Sequence, residues 1–97
     1  MVGQGDIINL DNLDFPCIVI SMNTYNESGH AIVCPILKNE ESLLSYRVDV
    51  GPVCGYVQCD NVRMLDLTAR TYFTKASAPM ADLLGILSMT TSVLELI

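Results

Sequence analysis

Four cysteines, Cys17, Cys34, Cys54 and Cys59, and the only histidine, His30, are the side chains of this sequence most suited to metal binding or nucleophilic chemistry. Their spacing supports neither. No C-x-x-C occurs, and His30 has no second ligand at metal-site spacing. A nucleophilic Cys54 or Cys59 would need His30 as its base, and nothing in the spacing joins them. Each cysteine sits among Val, Ile, Tyr or Pro in an apparent strand, where a thiol serves as a small buried hydrophobe. The sequence therefore predicts core-facing cysteines and no metal or other cofactor.

The remaining chemistry is recognition of phosphate. Arg47, Arg63 and Arg70 are the candidate members of a cationic patch, but five Lys and Arg stand against eleven Asp and Glu, a net charge of -6. Counterion release by basic side chains supplies much of the affinity for a phosphate backbone. A field of this sign repels RNA instead of steering it inward. Single-stranded RNA is thus disfavoured as a tightly held partner.

The elements that must position these groups are short. Ninety-seven residues, 51% of them hydrophobic, make one domain, residues 1–97, with a packed core and no disorder. Met1–Asp11 is polar and acidic, unlike a targeting sequence, and no apolar run approaches the ~18 residues of a membrane span. The expectation is a soluble, cytoplasmic chain that does not enter a membrane. Gly5–Leu10 reads as a first strand, and Pro16–Met22, β-branched and nearly all apolar, as a central strand covered on both faces. Asn23–Gly29 is a loop or hairpin turn. His30–Ile36 is the next strand, with Pro35 at a strand end, a bulge or an edge. After the charged loop Lys38–Glu41, Tyr46–Val50 alternates as a half-exposed strand, Gly51-Pro52 turns the chain, and Val53–Cys59 is a further strand. Asp60–Asp66 reads as a helical turn capped by Asp60 or Asn61, with Val62 and Leu65 inward. Ser77–Ile97 is the one convincing helix, with Ser77 or Ala78 as N-cap and Asp82 near the positive end of the dipole. Met80, Leu83, Leu84, Leu87, Leu94 and Ile97 form its apolar face, which Ile86, Met89, Val93 and Leu96 widen. Either the helix is deeply buried or part of it meets a second subunit. Five or six short strands and one terminal helix describe a mostly β, compact, strongly curved β barrel.

Read in order, these landmarks resemble the MazF/PemK family of bacterial toxins. Gly5-Asp6-Ile7 is similar to that family's opening strand, and Pro16-Cys17-Ile18-Val19-Ile20-Ser21 to its R-P-x-[VL]-[VI]-[VL]-[ST] strand. Tyr25-Asn26 falls where several members carry Y-N or F-N. Ala31–Ile36 resembles A-[IV]-[VC]-x-P-[IVC], and Gly55–Asp66 the G-x-V-x-C-D-Q-x-R-T-[IL]-D segment of the PemK branch, which Ala69-Arg70 continues. The resemblance spans almost the whole chain. It implies a small SH3-like barrel with a terminal α-helix and a symmetric homodimer. It also implies metal-independent, sequence-selective cleavage of single-stranded RNA, and an antitoxin protein whose extended tail covers the RNA groove. In that chemistry the ribose 2′-hydroxyl attacks the adjacent phosphate, so a base, an acid and donors to the phosphorane are needed.

The departures from the family pattern are specific. The arginine expected before the strand proline is Phe15, and the threonine expected after the C-P-[IVC] strand is Leu37. Gln58 stands where the PemK branch has an arginine, whereas Asp60 is kept. Asp11–Phe15 is shorter than the family's substrate loop. Losing one cationic donor costs roughly two or more orders of magnitude in rate. The sequence therefore predicts impaired or absent ribonuclease activity. If a rearranged site works, its catalytic members are Asp60 as base or orienter, Arg63 or Arg70 as phosphate donor, and His30 or Tyr25 as acid. Tyr25, Asn26, His30, Gln58 and Arg70 are the candidates for contact with RNA or a partner. Each has a structural reading beside it: Asp60 as a cap, Arg63 and Arg70 paired with surface carboxylates, His30 as an exposed turn residue. The competing function is a non-catalytic dimeric module that binds an antitoxin-like peptide.

Overall fold

The computed structural model describes residues 1–40 and 42–93. Seven strands and two helices follow in order: β1 (Asp6–Leu10), β2 (Cys17–Val19), α1 (Asn23–Asn26), β3 (His30–Leu37), β4 (Ser45–Val50), β5 (Val53–Gln58), β6 (Arg63–Asp66), β7 (Tyr72–Ser77) and α2 (Met80–Ser92). All strand pairs are antiparallel, in the order β4-β5-β3-β2-β1-β7, with β6 also pairing β3. The result is mostly β, a curled half-barrel sheet with a C-terminal helix.

The eight-residue β3 is the fork of the sheet. His30–Val33 pairs with β6, whereas Ile36 and Leu37 pair with β5. Pro35 lies between the two partners, inside the strand. Ile36 N–H donates to Pro16 O on the β2 side at 2.8 Å, so strand alternation turns the Pro35 nitrogen toward the gap between β6 and β5. Its missing donor is not needed there.

Alternation sends successive side chains to two cores. Ile7, Ile18, Cys34, Ile36, Val48, Val57 and Cys59 pack on one side with Ile86 of α2. Ile8, Leu10, Cys17, Val19, Ala31, Val33 and Leu65 form the other. β2 is therefore buried on both faces, as its apolar composition predicts, although the strand is confined to Cys17–Val19.

Several expectations are corrected. Asp60–Asp66 is not a helical turn: Arg63–Asp66 is a strand whose residues pair with His30–Val33. Its four residues, of which only Leu65 is buried, are too few to declare a strand without the β3 edge that satisfies their backbone. β7 was not anticipated because an edge strand with one covered face shows little apolar pattern; only Tyr72 and Ala76 are half-buried. Asn23–Asn26 makes one helical turn within the expected loop. Ser77 is not an N-cap: it ends β7, pairs with Asp6 and donates its hydroxyl to Asp6 Oδ1 at 2.8 Å. Pro79 occupies the cap position of α2, and Asp82 lies in the first turn. Leu94–Ile97, expected to continue the helix, lie outside the described residues.

The buried face of α2 is also rotated from the expected one. Leu83, Ile86 and Thr90 are buried, while Met80 and Leu84 are 67% and 59% exposed. The helix is thus half-buried within the subunit, not deeply buried. Gly85 explains the rotation. A Cβ at this position would stand 2.5 Å from Tyr46 Cε2, so the absence of a side chain lets the β4 ring lie flat on the helix. The Tyr46 hydroxyl then donates to Asp82 Oδ1 at 3.0 Å and fixes the angle.

Candidate functional site

The end of β3 beyond the fork carries Leu37, and the chain entering β2 carries Phe15. β3 and β2 pair in the register Cys17↔Pro35, which brings these two positions to the same end of the sheet. Both line one cavity of about 400 Å³, together with Pro16, Ile36, Pro52 and Val53. Lys38, which follows Leu37, and Lys75 from β7 supply its cationic rim, Asp14 its carboxylate, and Cys54 its thiol. Phe15 also forms a wall of an adjoining cavity of about 190 Å³ that Arg63 and Arg70 line. Four of the five basic residues therefore border two cavities separated by one aromatic ring.

The fifth, Arg47, reaches the same region from β4. Its Nη1 donates to the Tyr56 hydroxyl at 3.4 Å and its Nη2 to Cys54 Sγ at 3.6 Å, with the guanidinium 5.6 Å from the Tyr56 ring centroid. The Tyr56 hydrogen bond raises the Arg47 pKa further, ahead of the Cys54 charge. Arg63 Nε donates to Asn61 Oδ1 at 3.1 Å and Arg70 Nη1 to Asn12 Oδ1 at 3.4 Å. Arg63 and Arg70 thus hydrogen-bond neutral amide oxygens, which orient them without cancelling their charge. The basic residues are few but gathered.

The other residues singled out from sequence lie elsewhere. His30 stands at the start of β3, just after the α1 turn that carries Tyr25, and Leu37 at its end, about 23 Å from His30 at a rise of about 3.3 Å per residue. No single reacting phosphate spans that distance. His30 Nδ1 lies 3.5 Å from Ser28 Oγ, and His30 pairs across the ladder with Asp66. The Asp66 carboxyl is held below its usual pKa, mainly by the Thr68 hydroxyl and backbone N–H that donate to it. Asn26 is buried: its Nδ2 donates to Ser21 O and Val2 O, and its Oδ1 accepts from Ser21 Oγ. It fastens α1 to the sheet. Gln58, 2% exposed, donates to Tyr56 O and Asn39 O and accepts from Ser45 Oγ. Both amides are spent inside the fold.

Asp60 is exposed at the turn after β5 and borders a third cavity, beneath α2, that Arg63 does not line. The expected cap is absent, since Asn61 N–H donates to Gln58 O and a strand, not a helix, follows. Sequence reasoning missed Lys38 and Lys75. Lys38 was visible as the neighbour of Leu37, but Lys75 sits on the unanticipated β7. Cys54 is exposed, contrary to its expected burial, while Cys17, Cys34 and Cys59 are buried; all four are free thiols. Among the described residues, no three His, Cys, Asp or Glu side chains gather as a metal site requires, and no helix is long and apolar enough to cross a membrane.

A curled antiparallel sheet, closed by a terminal helix and bearing a cation-rimmed cavity between its first loop and the end of its central strand, defines the class of protein. Residues 6–90 match the family model of the PemK-like, MazF-like toxin of type II toxin–antitoxin systems, and the chain belongs to that family. No curated protein matches the sequence. Among solved structures, a chain of a MazE-MazF crystal structure from Deinococcus radiodurans is 25% identical, with a TM-score of 0.84 over 96% of this chain and 95% of that one. An endoribonuclease in complex with its cognate antitoxin from Mycobacterial species shares the fold at 17% identity, TM-score 0.84, over 100% and 98% of the two chains. The Mycobacterium tuberculosis toxin MazF-mt6 does so at 15% identity, TM-score 0.74, over 94% and 98%.

Proposed function

We propose that this chain is the toxin-fold member of a cytoplasmic toxin–antitoxin pair, that it acts as a homodimer, and that it has lost the RNA cleavage typical of its family. One observation carries the reading. Phe15 and Leu37, at the positions where the family resemblance implies an arginine and a threonine, face the same cavity and give it an apolar floor. Neither can donate to a developing phosphorane, and a lysine at the rim lacks the bidentate fork of a guanidinium. The exposed Met80 and Leu84 of α2 support a homodimer, because apolar side chains at one helix face are those a second subunit covers.

The test is cleavage of a long, structure-poor RNA, mapped by primer extension. The expected result is intact RNA with the native chain and cuts at a recurring short motif with Phe15→Arg/Leu37→Thr. Motif-specific cutting by the native chain overturns the proposal.

What the cavity favours is an acidic, amphipathic segment of an antitoxin-like partner. Its floor takes apolar side chains, while Lys38 and Lys75 meet carboxylates. Calorimetric titration with a peptide of that character should show binding that weakens with salt and falls at least tenfold in Lys38→Gln/Lys75→Gln. Equal affinity in the variant removes this docking mode.

A further inference from the structure

The β3–β5 ladder pairs Ile36 with Val57 and Leu37 with Tyr56. Carried two residues further in the same register, it sets Cys34 opposite Cys59. Cys59 N–H donates to Leu44 O on the β4 side at 2.9 Å, and Ile36 N–H, two residues from Cys34, to Pro16 O on the β2 side. The backbone groups of the pair therefore point away from each other, which makes it a non-hydrogen-bonded pair. Such pairs hold their Cα atoms about 4.5 Å apart with side chains converging. A disulfide requires about 4.4–6.8 Å.

Three further observations agree. Both side chains are fully buried in the same core cluster. A negative charge on Cys59 disfavours ionisation of Cys34, and Thr90 of α2 lies against both sulfurs. The Thr90 hydroxyl, 7% exposed as a residue, meets standard hydrogen-bond geometry with neither. Cys59 and Thr90 also border a cavity of about 400 Å³ between the sheet and α2, which brings a small reagent up to the packing that covers the sulfur.

We propose that Cys34 and Cys59 are a latent cross-strand disulfide pair, closed by a hydroperoxide that enters beneath α2. The Cys59 thiolate attacks one peroxide oxygen and the O–O bond breaks. Cys59 becomes a sulfenic acid, and the departing hydroxide takes up the proton Cys59 released. The Cys34 thiolate then attacks the sulfenic sulfur, the S–O bond breaks, and the second hydroxide leaves as water with the proton of Cys34. Two thiols are oxidised, one hydroperoxide is reduced, and two waters result when the oxidant is hydrogen peroxide. Burial pushes the Cys34 thiol up to about 12 and raises Cys59 as well, so the pair stays reduced until α2 loosens its cover. The crosslink ties the fork of β3 to the residue that leads into Asp60, at the seam from which Leu37 and Lys38 project into the Phe15 cavity.

The experiment uses the full chain carrying Cys54→Ser, which removes the exposed thiol and with it crosslinking between molecules. After hydrogen peroxide, the protein is denatured, alkylated, digested and analysed by mass spectrometry with fragmentation. The expected product is one intramolecular crosslink between Cys34 and Cys59, with Cys17 still alkylated. Dithiothreitol reverses it, and a higher thermal midpoint accompanies it. Cys34→Ala in the same background should accumulate a Cys59 sulfenic acid that dimedone traps. Full alkylation of Cys34 and Cys59 while methionines are oxidised overturns the proposal. So does a crosslink that joins Cys17 in place of Cys34.

Discussion

Replacing Gly85 by alanine sets two effects of opposite sign against each other, and the structure decides between them. An alanine in a helix interior is about 1 kcal/mol more favourable than glycine. Here its Cβ would stand 2.5 Å from Tyr46 Cε2 and 3.0 Å from Cζ and the hydroxyl oxygen. Carbon contacts settle near about 3.5–4.0 Å, so the ring must retreat by about 1 Å. Its hydroxyl then leaves Asp82, now 3.0 Å away, at a cost of about 1 kcal/mol for a half-buried bond. Overpacking adds about 1–3 kcal/mol. The expected net is a loss of about 1–3 kcal/mol, and each kcal/mol lowers the thermal midpoint of a domain this size by roughly 4–8 °C. In a Tyr46→Ala background the ring is gone and the sign reverses, so Gly85→Ala should regain about 1 kcal/mol. Thermal unfolding of the four chains by circular dichroism measures the cycle. A higher midpoint for Gly85→Ala in the native background, or the same shift in both, would refute the reasoning.

Alkaline pH tests the buried thiols. The unfolded thiol ionises near its ordinary value of 9.0, whereas burial pushes Cys34 up to about 12 and Cys17 up to about 11. Folding therefore favours the protonated thiols, a contribution fully present below pH 9 and lost as pH rises toward the folded values. It amounts to a few kcal/mol, since one pKa unit is about 1.4 kcal/mol. The urea midpoint should fall steeply from pH 9 to pH 11, and less steeply in Cys34→Ala. Asn26→Ala strips Ser21 Oγ of its acceptor and Val2 O and Ser21 O of a donor in a buried place. It should destabilise by about 1–3 kcal/mol in urea titration, and a neutral effect would mean that Asn26 is not the fastener of α1.

Much of this fold is legible in its sequence. The order of the apolar runs marks β1 to β5, because burial of one or both faces is a local pattern that each strand carries itself. The motif order marks the family. The strands that went unrecognised, β6 and β7, are those whose backbone is satisfied by a distant neighbour and whose side chains are mostly exposed.

The sequence by itself thus determined an acidic chain with an apolar core, and the order of motifs that places it in its family. Tertiary structure alone decided where the scarce positive charge goes. Lys75 joins Lys38 only because β7 folds beside β1, and Arg63 joins Arg70 only because β6 lies on β3. It also turned Asn26 and Gln58 inward and gathered Cys34 and Cys59 into one core. Net charge is a sum over the chain and carries no positions. Proximity between residues tens of positions apart is fixed by strand pairing, which spacing along the sequence does not encode.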